Sequence, residues 1–314
     1  MTSKPWPRVA VLGAGAIGGL FGAMLREGGL DVTLIDRKES HVSSIRTNGL
    51  RIVGHGGDRA ISVPATTEPV SMGPVDVVIV QTKAMDTIQA VRAGAGLFGP
   101  DTVAISFQNG LGNEENIGSV IGLERVLGGV TAQGATVVEP GVVRNFGNLP
   151  SYVGELEPGL SERASRIAAA FSAAGLETHA SGELRRVMWK KFLANVALSA
   201  ASGVTNLTSQ EMMAIPELQA VCIGAMEEAA LVAGAEGIAL SNAEKQEILA
   251  PLVSPDGTGA SKSSLCADLL NERPTEVDTI AGAVVRLGQT HGIPTPINQT
   301  LVAAVKGKES HYMK

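Results

Sequence analysis

The feature that most constrains this chain is Gly13-Ala14-Gly15-Ala16-Ile17-Gly18, set between an apolar run and a helical pattern. Val9 to Leu12 is a short run bounded by Arg8 and Gly13, which predicts a buried strand. Ile17, Leu20, Phe21, Met24 and Leu25 then share one face of a helix that reaches about Gly28. A glycine at position 13 permits the tight turn, and one at 15 lets backbone approach a pyrophosphate. Gly18 lets the helix pack closely on the sheet, while the helix N-terminus attracts phosphate charge. In a chain with 38 glycines the bare spacing is weak, and a purely structural turn is the alternative. Its position at the opening of a βαβ unit is what favours dinucleotide binding.

Further strands are predicted at Asp31–Asp36, Val75–Val80 and Thr102–Ser106, with a helix from about Met85 to Leu97. Alternation of this kind gives an α/β Rossmann-type N-terminal domain with a parallel sheet covered on both faces. Leu50–Val53 and Ala60–Val63 predict a hairpin insertion, and Gly134–Val138 with Val142–Phe146 a mixed extension of the sheet. A helix near Ser161–Ala174 and a last strand at Leu176–His179 follow. From Glu183 onward the period is helical: Glu183–Val204, Pro216–Ala235, Asn242–Leu252, Lys262–Leu270, Thr275–His291 and Thr295–Val305. The expected domains are therefore residues 1–182, binding the dinucleotide, and an all-α C-terminal domain of residues 183–314.

Composition narrows the function classes. Aromatics are 3% and the formal charge is −6, so neither base-stacking surface nor basic footprint for nucleic acid is present. Cys222 and Cys266 lack metal-ligand spacing and suit a reducing, cytoplasmic compartment. The five histidines show no paired spacing, so no metal site is expected. No uncharged stretch is long enough to span a bilayer, and the apolar run before Gly13 is too short for a signal sequence.

Asp36 closes the second strand, where a carboxylate can accept from a ribose 2′-OH and favours NAD. Arg37, with Lys38 beside it, can instead clamp a 2′-phosphate and favours NADP. An ordinary solvated Asp-Arg-Lys turn is the alternative to either role.

With these residues in place, the chain resembles the ketopantoate reductase (2-dehydropantoate 2-reductase) family. The glycine loop, Arg37, Lys83 in Gln81-Thr82-Lys83, and the turn Gln108-Asn109-Gly110 match the family's N-terminal motifs. Trp189, Lys191 and Asn195 match its helix motif, and Ser264, Asp268, Thr275, Glu276 and Asp278 its C-terminal one. Departures occur at Ser199 and Ser261, where the family usually has Asn, and at Asp36, where many members carry a small residue.

The resemblance implies NAD(P)H-dependent reduction of a small anionic 2-oxo acid to a 2-hydroxy acid. The family's own case is ketopantoate to pantoate, in pantothenate biosynthesis. It favours NADP(H), Asp36 keeps NAD(H) open, and no metal is implied. Catalytic roles fall on Lys191, Asn195 and Glu276, and substrate contacts on Asn195, Ser199 and Ser264. Gly13, Gly15, Ala16, Ile17, Gly18, Asp36, Arg37, Lys83 and Asn109 would hold the cofactor. Lys191 can stabilise an alkoxide and give it a proton. Lys190 points some 100° away on a helix, so the resemblance selects between them. Read alone, Thr275-Glu276 is a helix first turn, Ser263-Ser264 a helix cap, and Asn109-Gly110 a loop turn. Ser199 and Ser261 also suit a paralogous reductase of another branched or hydroxylated 2-oxo acid. A non-enzymatic NAD(P)-binding redox sensor is the rival class, and it would need neither acid nor substrate anchors. No nucleic-acid or membrane partner is expected, and a homodimer is left open.

Overall fold

A computed structural model describes residues 6–254 and 259–313. The start of the chain, Met1 to Pro5, lies outside the described residues. Contacts gather into two compact units: Met1–Gln108 with Asn113–Arg185, and Asn109–Gly112 with Arg186–Lys314.

In the first unit, β1 (Arg8–Leu12) leads through the glycine loop into α1 (Ala16–Glu27) and β2 (Asp31–Ile35), followed by α2 (Glu39–Asn48). Next come β3 (Leu50–Gly54), β4 (Arg59–Ile61), β5 (Ala65–Thr66), β6 (Val75–Val80), α3 (Thr87–Ala93) and β7 (Phe98–Ser106). The unit continues with α4 (Asn113–Ile121), β8 (Val126–Thr131), β9 (Ala135–Glu139) and β10 (Val142–Asn145). It ends with β11 (Ser151–Gly154), α5 (Glu162–Ala173) and β12 (Thr178–Ala180).

Eight strands form one sheet in the order β12-β11-β8-β7-β6-β1-β2-β5. From β5 across to β8 the pairs are parallel, and β11 joins β8 antiparallel. Alternate side chains of β6 enter different cores. Val77 and Ile79 pack with Val9, Val11, Phe21 and Phe107, while Val78 and Val80 pack with Ala10, Leu12, Leu97 and Ile117. A parallel strand covered on both faces needs a continuous apolar run, and Val77-Val78-Ile79-Val80, after the half-buried Asp76, supplies it. Each fully buried Leu or Phe contributes about 1.5–3 kcal/mol from burial alone.

Residues 134–138 and 142–146, expected to extend this sheet, build a second one instead. Its order is β4-β3-β10-β9, with β10 parallel to β3 and antiparallel to β9. The β3–β4 hairpin offers β3's free edge to β10, and the mixed extension of the main sheet is β11. The helix expected over 85–97 is also shorter. Two 3-10 turns, Ala84–Asp86 and Ala95–Leu97, flank α3, and Gly94 ends it.

The helical elements are α6 (Leu184–Thr205), α7 (Ser209–Met213), α8 (Pro216–Ala235), α9 (Asn242–Val253), α10 (Ser264–Leu270), α11 (Ala281–His291) and α12 (Pro296–Glu309). The core of the second unit draws Phe192, Leu193 and Val196 from α6, Cys222, Met226 and Val232 from α8, and Val284 and Val305 from the last two helices. By length and composition α8 is apolar enough to cross a membrane, at a mean hydropathy of 1.4. Its Glu228 is nevertheless buried in this core, accepting from the backbone N–H groups of Ile297 (2.8 Å) and Asn298 (3.0 Å) at the start of α12. That carboxylate satisfies N–H groups that a helix cannot bond internally.

Thr275 to Ile280, expected as the first turns of the helix ending at His291, are not helical. Ile280 sits at φ −103° and ψ −97°, and Gly282 N–H reaches back to the Val277 carbonyl at 2.8 Å. The regular helix starts only at Ala281, after an isolated turn closed by Ile280 N–H on the Glu276 carbonyl at 3.1 Å, so Glu276 lies outside that helix's first turn.

Candidate active site

Gly13 is at φ +100°, and a Cβ there would lie 2.6 Å from the Gln81 carbonyl carbon. The N–H groups of Gly13 and Ala14 both donate to the Ile35 carbonyl, at 2.9 and 3.0 Å, folding the loop over the end of β2. A Cβ on Gly18 would fall 2.0 Å from the Gly13 carbonyl oxygen, so that glycine is demanded by packing. Gly15 differs: nothing lies within 4 Å of the position its Cβ would take. It is also the N-cap of α1 and supplies no side chain to the N–H groups there. Ala16 and Ile17, the first residues of that helix, are partly exposed. An uncapped helix start with open space beside it is an anion-binding geometry.

His41, not singled out from the sequence, holds this loop from beneath. Its buried ring places Nε2 2.9 Å from the Ala14 carbonyl, while Nδ1 accepts from Gly141 N–H at 3.0 Å. The neutral tautomer with hydrogen on Nε2 satisfies both contacts. No sequence motif signals this role, because its two partners come from distant turns.

At the end of β2, Asp36 is half-buried and its Oδ1 accepts from Lys38 N–H at 2.9 Å. Arg37 is paired with Asp86, Nη1 donating to Oδ1 and Nη2 lying against Oδ2, both at 3.1 Å. Lys83 follows β6 and precedes the turn that carries Asp86. Gln108 fastens this turn, its buried amide donating to the Thr82 carbonyl and to Thr87 Oγ1, each at 2.8 Å.

The second unit gathers Asn109, Lys191 and Glu276. Lys191 Nζ donates to Asn109 Oδ1 at 2.9 Å. Gly110 has φ +90°, and a Cβ there would lie 2.5 Å from the Thr279 carbonyl oxygen, which accepts from Leu111 N–H at 3.0 Å. The turn after Asn109 is thus docked on the non-helical segment that carries Glu276. Burial lowers the Lys191 pKa to about 8, opposed by the negative charge of buried Glu276. Asn195 lies one turn along α6 from Lys191 and is half-buried; Ser199, a further turn on, is buried. Lys190 faces elsewhere, pairing with Glu244 at 2.9 Å. Ser264 is the exposed first residue of α10, and the cap is Ser263, whose hydroxyl accepts from Cys266 N–H at 3.0 Å. Among the described residues no cluster of three His, Cys, Asp or Glu is placed to hold a metal ion.

Residues 9–158 match the ketopantoate reductase PanE/ApbA family, and residues 183–309 match its C-terminal counterpart. A 2-dehydropantoate 2-reductase of Halobacterium salinarum is 33% identical over 300 residues, covering 95% of this chain and 98% of the relative. A PanE/ApbA family ketopantoate reductase from Ralstonia eutropha superposes with a TM-score of 0.89 at 30% identity, over 98% of this chain and 99% of that one. A ternary structure of D-mandelate dehydrogenase with NADH and anilino(oxo)acetate gives a TM-score of 0.91 at 29% identity, over 97% and 99% of the two chains. The chain belongs to the ketopantoate reductase family and is an oxidoreductase acting on CH–OH groups.

Proposed function

We propose that this protein reduces a small 2-oxo acid to its 2-hydroxy acid at the expense of a nicotinamide dinucleotide, with 2-dehydropantoate as the favoured substrate. The single observation carrying this reading is the half-buried lysine of α6, bonded to Asn109 and facing the charge of Glu276. A sensor of dinucleotide has no use for a partly desolvated ammonium held by Asn109, whereas a carbonyl reductase needs one.

Residues 1–182 would form the dinucleotide-binding part and 183–314 the part acting on substrate, although Asn109 clusters with the latter. The loop fits the cofactor: Gly13 and Gly18 are filled by the protein's own backbone, and Gly15 leaves room for a pyrophosphate over the α1 N-terminus. Ala16 and Ile17 would offer backbone N–H groups there, and Lys83 and Asn109 would lie on the nicotinamide side. The bound nicotinamide supplies the hydride. Lys191 stabilises the negative charge growing on the carbonyl oxygen and gives that oxygen its proton. With a pKa of about 8 the lysine is mostly protonated at neutral pH yet gives up its proton readily. Asn109 holds the ammonium in place, and Glu276 keeps it charged and accepts from a distal substrate hydroxyl. Asn195 and Ser199 would bond the substrate along α6, and Ser264 would donate to its carboxylate. Two buried free thiols, Cys222 and Cys266, suit a cytoplasmic setting.

A second reading is reduction of a bulkier 2-oxo acid. It is favoured by the likeness to D-mandelate dehydrogenase and by Ser199 and Ser261, shorter than the asparagines usual in the family. Steady-state rates on 2-dehydropantoate, 2-oxoisovalerate and phenylglyoxylate, each with NADH and NADPH, test both readings. Preference for phenylglyoxylate would install the second, and cofactor binding without turnover of any oxo acid would leave only the sensor.

A further inference from the structure

Arg37 stands where a dinucleotide's adenosine ribose is read, at the end of the second strand of the βαβ unit. Its guanidinium is not available as a simple cation. Asp86 takes one contact from each terminal nitrogen, both at 3.1 Å, in the two-point geometry that planar guanidinium and carboxylate favour. The two partners are unequally fixed: the arginine side chain is 73% exposed, the carboxylate only 26%. Asp86 N–H donates to the Lys83 carbonyl at 2.9 Å, and Gln108 anchors the same turn through Thr82 and Thr87. Asp86 is thus the rigid member and Arg37 the one held.

A second carboxylate, Asp36, sits one residue before the arginine, with Oδ1 bonded to Lys38 N–H. A ribose 2′-phosphate arriving here would bring up to two negative charges toward two carboxylates. The arginine that should receive it would first have to loosen its hold on Asp86. An unphosphorylated ribose carries only hydroxyls, which Asp36 can accept. The family resemblance favoured NADP(H) through Arg37, and the ion pair pulls the other way.

We propose that Asp86, by holding Arg37, sets the cofactor preference of this enzyme toward the dinucleotide without a 2′-phosphate. The proposal rests on the dinucleotide-binding reading above. Asp86 is a positioning residue acting through Arg37, so the informative quantity is the ratio of the two cofactor affinities.

The test is fluorescence titration of the full-length chain with NADH and with NADPH, comparing the parent with Asp86→Asn, Asp86→Glu, Arg37→Ala and the double variant Arg37→Ala/Asp86→Asn. Asp86→Asn is nearly isosteric and should shift the affinity ratio toward NADPH by about tenfold to a hundredfold, the worth of one freed charge-assisted contact. Asp86→Glu retains the charge and should stay close to the parent ratio. In the Arg37→Ala background, Asp86→Asn should produce only a much smaller shift, from relief of carboxylate repulsion alone. An unmoved ratio in Asp86→Asn, or a shift of equal size without Arg37, overturns the proposal. Failure of the parent chain to bind either cofactor overturns the dinucleotide reading instead.

Discussion

Replacing Glu276 with glutamine should move the pH profile of this enzyme, not merely its rate. Burial draws the Lys191 pKa down to about 8, and the Glu276 charge keeps it from falling further. An opposite charge at close range typically shifts a pKa by about 1 to 3 units, so losing it should lower the Lys191 pKa by about one unit or more. Reduction requires the ammonium form. In the parent, kcat/KM for 2-oxo acid reduction should fall as pH rises through about 8. In Glu276→Gln the fall should begin about one unit lower. At pH 7.5 the lysine would go from roughly three-quarters to roughly one-quarter protonated, a loss of about threefold from protonation alone. At pH 6 that loss should almost vanish. Oxidation of the 2-hydroxy acid requires the neutral amine, so its rate should rise through the same pH and shift with the reductive limb. The assay is kcat/KM against pH in both directions, following nicotinamide absorbance. A Glu276→Gln enzyme slowed equally at every pH, with its alkaline limb unmoved, would refute the electrostatic coupling and leave Glu276 a substrate contact only.

Lys191→Met should lower turnover by about a hundredfold to a thousandfold. It should nevertheless raise the melting temperature at pH 7, because the folded state then no longer charges a partly desolvated amine. The folded pKa of about 8 lies below the ordinary lysine value of 10.5, so the unfolded chain binds more protons between them. The desolvation cost is full below 8, on the order of 3 kcal/mol, and fades as pH climbs to 10.5. A lower melting temperature at pH 7 would show that the Asn109 bond outweighs that cost; Lys190→Ala, removing one of the two cations on Glu244, should keep parental turnover. Gly15→Val should stay folded and lose dinucleotide affinity, since no protein atom lies within 4 Å of where its Cβ would sit, whereas Gly18→Val should unfold at lower temperature. Unchanged NADH and NADPH titrations in a folded Gly15→Val chain would remove the loop from the cofactor site. Glu114, buried with its pKa raised to about 8 chiefly by desolvation, binds a proton in the folded state that the unfolded chain releases near 4.5. Stability should therefore fall with pH between about 4.5 and 8, by up to about 1.4 kcal/mol per unit, and Glu114→Gln should flatten that slope in urea titrations.

Patterns that act over a few residues were legible in the chain. Val77–Val80 is an unbroken apolar run because both faces of β6 are covered, and the bounds of the strand, 75–80, read directly from the residues. Pro216–Ala235 is delimited by a proline that starts a helix and a glycine just beyond its end. The glycine loop is local in the same sense, since a strand, a tight turn and a helix start follow one another without a break. Spacing along α6 likewise separates Lys190 from Lys191 by about 100°.

What only the tertiary structure decided depends on partners far apart in the chain, where no period links the two ends. Residues 134–146 carry enough β-forming character for a strand pair, but their sheet was chosen by the free edge of β3. Glu276 looks like a helix first turn until the backbone at Ile280 breaks the helical geometry and the Asn109 turn docks on Thr279. Asp86 meets Arg37 across 49 residues, Asn109 meets Lys191 across 82, and His41 meets Gly141 across 100. Sequence alone determined the elements and the chemical types available to each, because local sterics and hydrophobic period act between near neighbours. Folding decided which charges are paired and which amine is buried, because burial and ion pairing are set by whatever the rest of the chain brings alongside.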